Sequence, residues 1–213
     1  MNERKRASTG LTDLDALLGG ESTLGPTGIL SDFGLLRGAL VLLSGETGVG
    51  TTTLLVHAAV HAARSGERVL FACGDESAMD IQKKAERTGA VHENVFVLAN
   101  NAGTSLDHVE ASVKSRNATV LLIDSLQTMR VPDLRAKAGT PHHVQAVVHH
   151  AKRMAVTYNL CVLCVTKDGS VAGTAQIPHI ADTMVRMRRG ITWPAFERLW
   201  LFDLDGKHRD GSV

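Results

Sequence analysis

The stretch Ala39-Leu40-Val41-Leu42-Leu43-Ser44-Gly45-Glu46-Thr47-Gly48-Val49-Gly50-Thr51-Thr52-Thr53 decides the fold. It opens with a short apolar run, the mark of a buried strand. Leu54 to Ala63, directly after it, reads as a helix. Strand, glycine loop and helix in that order are the setting of a phosphate-binding loop. Glycine permits backbone angles that other residues resist, and its small size lets N–H groups close around phosphate oxygens. The positive end of the helix dipole adds to the attraction. Gly45, Gly50 and Thr52 meet the spacing G-x-x-x-x-G-x-T, so Gly45, Glu46, Thr47, Gly48, Val49, Gly50, Thr51, Thr52 and Thr53 form the expected cradle. Thr51 stands where such a loop carries its lysine.

Upstream, residues 1–7 read as a flexible tail. Thr12 is placed to cap a short helix with Leu14, Leu17 and Leu18 on one face, and Gly19-Gly20 ends it. Residues 21–33, rich in Gly, Ser, Thr and Pro, read as a loop. Downstream, apolar runs at 68–73, 95–98, 119–125 and 160–166 predict strands, and 183–188 and 198–202 predict two late ones. Helical patterns fill about 77–88, 106–113 and 142–158. Alternating strands and helices, with strands apolar throughout, predict one α/β domain over 1–213. Its sheet is expected to be mostly parallel and twisted, with helices on both faces.

At 213 residues, 44% hydrophobic and 21% charged, the chain is long enough for a full-sized core. A net charge of +1 argues against general nucleic-acid binding over the whole surface and leaves room for a local patch. No apolar run reaches the roughly 18 residues of a membrane span, and no apolar segment follows Arg4-Lys5-Arg6 to make a leader. The expected location is cytoplasmic, with no membrane partner. Cys161 and Cys164 match C-x-x-C, but strand alternation sends them to opposite faces, so they read as buried apolar thiols with Cys73.

Open parallel sheets bind ligands at the C-terminal ends of their strands. Three polar groups fall there: the glycine loop, Asp75-Glu76 and Asp124. A loop hydroxyl and a strand-end carboxylate are a Mg²⁺ pair for a bound nucleoside triphosphate, which assigns metal contact to Thr52 and Asp124. Asp75 or Glu76 is the candidate for orienting an attacking water. Each feature has a plainer reading alone: a turn residue for Asp124, a helix cap for Asp75-Glu76. Together and in order they specify far more.

The chain also resembles the ATPase core of the bacterial RadA/Sms proteins, RecA-like ATPases of recombinational DNA repair. Ser8-Thr9-Gly10 through Gly19-Gly20 is similar to that family's S-T-G-x-x-x-L-D-x-x-L-G-G. Gly74-Asp75-Glu76-Ser77-Ala78 with Ala85-Glu86-Arg87 is similar to G-E-E-S-A and its A-E-R helix. Ile123 to Thr128 matches I-D-S-I-Q-T, and Val165 to Gly173 resembles V-T-K-E-G-x-I-A-G, continued by His179 and Asp182-Thr183. Lys207-His208-Arg209-Asp210-Gly211 stands where the family has K-N-R-F-G. The resemblance spans about residues 8 to 211. It implies a RecA-like P-loop NTPase fold, ATP and Mg²⁺ as ligands, single-stranded DNA as partner, and a homo-oligomeric ring. In such a ring Lys207 and Arg209 of a neighbour are implied to approach the phosphates.

The departures fall in the site. Thr51 replaces lysine, Asp75 replaces the family's catalytic glutamate, Cys164 replaces a histidine, and Asp210 replaces a phenylalanine. The resemblance implies that the loop at residues 21–33 is inserted, and the family's zinc module and protease-like domain have no counterpart motif. A lost charged hydrogen bond removes about 1.5–3 kcal/mol, one to two decades of affinity. A catalytic group misplaced by about 1 Å costs roughly 10²-fold. Lys167, or Lys207 and Arg209, are the candidate replacements for the charge. Arg130, Arg135, Lys137 and Lys167 are the candidates for DNA phosphate contacts, against a plainer reading as exposed loop charge. Three readings stand: an ATP- and DNA-binding protein with weak or lost hydrolysis, a degenerate interaction subunit that binds no nucleotide by itself, and a small-molecule kinase. The last lacks an arginine-rich lid.

Overall fold

The computed structural model describes residues 5–19, 33–87, 91–100, 102–167, 177–190 and 199–208, the last ten and 189–190 by backbone. Seven strands form the main sheet: β3 (Leu40–Gly45), β4 (Val69–Cys73), β5 (Val95–Ala99), β7 (Val120–Asp124), β9 (Cys161–Lys167), β10 (Thr183–Gly190) and β11 (Leu199–His208). Their order is β11-β10-β3-β9-β7-β4-β5. All neighbours are parallel except the β10–β11 pair, which is antiparallel. This is the mostly parallel α/β architecture of a RecA-like P-loop fold.

Alternation along the strands builds two cores. Val41, Leu43, Val69, Phe71, Val120, Leu122, Cys161, Leu163 and Val165 point to one face, covered by α1 (Thr12–Leu17), α2 (Thr51–Arg64) and α3 (Ala78–Arg87). Leu40, Leu42, Leu70, Leu121, Ile123, Val162 and Cys164 point to the other, under α4 (Leu106–Arg116) and α5 (Pro141–Thr157). Central strands buried on both sides are apolar at every position, which is why they read so clearly as runs. Cys161 and Cys164 lie in different cores, as alternation predicts.

Two expectations are corrected. Residues 6–7 are not part of a loose tail: Arg6–Ala7 is β1 and pairs with β2 (Leu35–Leu36), with Ala7 buried. Thr12 is not the cap of α1 but its first residue, and Leu11 precedes it with no side-chain cap. The organising group is Asp15, which accepts from Ser8 Oγ at 2.6 Å, Thr9 N at 2.8 Å and Thr9 Oγ1 at 2.8 Å. The serine, threonine and aspartate of the opening motif thus tie the chain's start to α1. Lys207-His208 lies in the long edge strand β11, which runs past the 198–202 read from the sequence. Most of the inserted loop, residues 168–176 and Arg209 lie outside the described residues.

Short elements complete the site end. A β6–β8 pair (Thr104–Ser105 and Met129–Arg130) flanks a 3-10 turn at Leu126–Thr128. The sixth helix, α6 (Ile177–Ile180), leads into Asp182, whose Oδ2 accepts from Leu40 N at 2.8 Å and Lys152 Nζ at 2.5 Å. That carboxylate ties the start of β3 to α5 and β10.

Candidate functional site

Strand register brings the polar groups together. Gly45 is the Cα partner of Lys167 across β3–β9, and Cys73 is the partner of Asp124 across β4–β7. Gly45, Lys167 and Asp124 therefore end strands at one edge of the sheet. By alternation Lys167 follows Cys161, Leu163 and Val165, and Asp124 follows Val120 and Leu122, onto the α2 face. Arg186 and Arg188 on β10 fall on the opposite face, because Val185 and Met187 take the α2 side.

The glycine loop has the required backbone. Gly50 caps α2 with φ at 108°, a region closed to most side chains, and Gly48 is also left-handed. Thr51 opens the helix, its methyl turned back on the strand. A Cβ on Gly45 would meet Thr51 Cγ2 at 3.0 Å and Val49 Cγ1 at 2.8 Å. Glu46, Thr47 and Gly48 are exposed, and Thr51, Thr52 and Thr53 are half-buried.

Thr52 Oγ1 donates to Asp124 Oδ2 at 2.6 Å. The two residues are 72 apart in the chain. Asp124 is 3% exposed, and its pKa is raised, chiefly by burial, with the Thr52 hydrogen bond opposing and Lys167 also lowering it. Hydroxyl and carboxylate are hard oxygen donors, the set from which Mg²⁺ takes one or two ligands while phosphates and water supply the rest. The pair fits that ion.

Asp75 and Glu76 lie just past β4, and both are tied to lysines. Lys167 Nζ is hydrogen-bonded to Asp75 Oδ2, and Lys84 Nζ to Glu76 Oε1. The second oxygen of Glu76 is buried with no hydrogen-bond partner. Burial lowers the Lys167 pKa, but the Asp75 hydrogen bond and the charges of Asp75 and Asp124 raise it more, so the net shift is upward.

Gln127 belongs to this site, and sequence reading passed over it. Its Nε2 donates to Thr166 Oγ1 at 2.9 Å and to the Lys167 carbonyl at 3.3 Å, and its Oε1 accepts from Lys167 N at 3.3 Å. The amide thus holds the end of β9. Its place in the Ile123–Thr128 motif was the available sign. Gly74 sits against the same turn: a Cβ there would meet Thr128 Oγ1 at 2.5 Å and Thr128 O at 2.6 Å.

The structure separates the remaining candidates. Arg130 ends β8 exposed, and Arg135 and Lys137 are exposed in the segment leading to α5. Lys207 lies far from its own loop. His208 is the partner of Thr183, which is the partner of Val41, four residues before Gly45. At about 3.3 Å per residue that is roughly 13 Å along the sheet, toward the wrong end. Lys207 is thus not brought to the cradle within the chain.

A cavity of about 300 Å³ between α2, α3 and β5 is lined mostly by apolar side chains, among them Val60, Phe71, Ile81 and Val95, with Gln82 and His92 its polar members. Among the described residues no group of three or more His, Cys, Asp or Glu is placed to hold a metal by itself. Among them, too, no helix is long and apolar enough to cross a membrane.

Comparison with known proteins agrees with this geometry. A family model described as an AAA domain matches residues 21–170. The chain is 33% identical over 185 residues to the DNA repair protein RadA of Mycolicibacterium smegmatis, covering 83% of this chain and 36% of that protein. It is 30% identical over 183 residues to RadA of Campylobacter jejuni, covering 84% and 37%. RadA of Aquifex aeolicus is 30% identical over 187 residues, covering 86% and 38%. The chain spans just over a third of the length of these relatives.

Proposed function

The chain belongs to the RadA/RecA-like family of ATPases, and from that premise we propose that it binds ATP with Mg²⁺, turns it over slowly or not at all, and acts with single-stranded DNA in repair. The observation that carries the reading is the 2.6 Å hydrogen bond from Thr52 to Asp124. It joins the loop hydroxyl to the strand-end carboxylate at the mouth of a left-handed glycine turn. That is the arrangement a magnesium-bound triphosphate needs. When bound, Mg²⁺ supplies charge neutralisation of the phosphate oxygens.

The chain's own residues account for the rest. The loop from Gly45 to Thr53 would enclose the phosphates, and Thr52 and Asp124 would hold the metal. Slow turnover follows from two features. Thr51 brings no charge to the transition state, where a missing electrostatic donor typically costs 10²- to 10³-fold. Asp75, one methylene shorter than glutamate, is engaged by the Lys167 ammonium.

Calorimetric titration of the purified protein with ATP and excess Mg²⁺ tests the reading. Micromolar to sub-millimolar binding in the wild type, lost in Asp124→Ala, is the expected result. No binding at millimolar ATP would overturn it and leave the interaction-subunit reading, which the Thr51 and Asp75 substitutions favour. The DNA proposal rests on Arg130, Arg135 and Lys137, exposed after the end of β7. Affinity for a single strand should fall as salt rises and weaken in the triple alanine variant. Affinity indifferent to both would remove DNA from the proposal.

A further inference from the structure

We propose that Lys167 supplies the phosphate charge missing at Thr51, and that Asp75 is the partner it gives up when ATP arrives. The inference rests on the nucleotide-binding reading above. Four observations place Lys167 for the role. Its Cα is paired with Gly45, so it stands one strand, roughly 4.8 Å, from the base of the glycine loop. Alternation puts it on the α2 face, the face that the loop enters. Its side chain is 46% exposed, so the four-carbon stem is free to swing. Its ammonium sits among the acidic groups of the site, bonded to Asp75 and within electrostatic range of Asp124.

The other described cations near this end are placed differently. Arg186 and Arg188 stand on the opposite face, Lys84 is bound to Glu76, and Lys207 lies at the far end of the sheet. A triphosphate carries more negative charge than one carboxylate, so it competes for the ammonium successfully. Departure of Lys167 frees Asp75 to accept a hydrogen bond from water. Filling the loop and releasing the carboxylate thereby become one event.

Calorimetry with ATP and with ADP, each with excess Mg²⁺, tests this on the wild type, Lys167→Ala, Lys167→Arg, Thr51→Lys and the double variant Thr51→Lys/Lys167→Ala. Lys167→Ala should weaken ATP binding ten- to a hundredfold and ADP binding less. Lys167→Arg should retain most of the affinity. The double variant should recover what the single one loses. Arg188→Ala, which removes a charge from the other face, should leave both affinities unchanged, and unfolding curves check that each variant folds. ATP affinity in Lys167→Ala equal to that of a binding-competent wild type would overturn the inference and leave the nucleotide reading standing. A wild type that does not bind ATP would overturn both.

Discussion

At the scale of single residues, Asp124 is the group whose chemistry and stability pull in opposite directions. Its pKa is raised, chiefly because burial disfavours the carboxylate. The folded chain therefore binds a proton more tightly here than the unfolded chain does. Stability contributed by this group is fullest below the unfolded value, falls as pH rises, and is lost once pH passes the raised folded value. Above the raised value the ionised carboxylate is a cost. Asp124→Asn keeps an acceptor for Thr52 and removes that cost, so above the raised value we expect its melting temperature to exceed wild type, by roughly 2–4 °C for each 1 kcal/mol of cost removed. The gap should close as pH falls below the raised value, while ATP binding with Mg²⁺ is lost at every pH. Calorimetric melts across pH check both. The loss at Thr51 was legible from loop spacing alone. Lys167 could be named as a candidate for the missing charge, but its contact with Asp75 could not, because the two are 92 residues apart and meet through strand order. The same holds for Gln127 and Thr166, 39 apart.

At the scale of elements, the long central strands were legible because burial on both sides leaves an unbroken apolar run. The β1–β2 and β6–β8 pairs were not, since two residues carry no period. Helix boundaries fell within a residue or two where apolar spacing was regular, as in α5. Strand β9 offers a direct check on alternation. Burial pushes the Cys161 thiol up to about 12, and Cys164 and Cys73 are also raised, each chiefly by burial. None of the three should react with a thiol reagent at pH 8 in the folded protein, and all three should react in denaturant. The turn after β7 offers another. In Gly74→Ala the new methyl must displace backbone at Thr128. We expect a loss of about 1–3 kcal/mol in denaturant unfolding. Weaker ATP binding should accompany it, because the displaced turn carries Gln127 and with it the end of β9.

At the scale of the whole molecule, two separate cores share one sheet, and the candidate site spans the ends of four of its strands. Occupancy should therefore stabilise the entire fold rather than one loop. ATP with Mg²⁺ at about a hundred times its dissociation constant adds about 2.7 kcal/mol, a rise of roughly 5–10 °C in melting temperature for a chain of this size. Thermal melts with and without Asp124→Ala measure it. The antiparallel turn-back of β11 has a larger consequence. It gives the molecule a front, where the glycine loop lies, and a back, where the basic end of β11 lies. A neighbour can lend Lys207 only by setting its back against this chain's front. Copies arranged nose to tail around a circle achieve that, as does a pair running in opposite directions. Copies standing in parallel, level with one another, do not. The direction of one edge strand thus dictates which assemblies can share a charge between subunits and which can only share a surface.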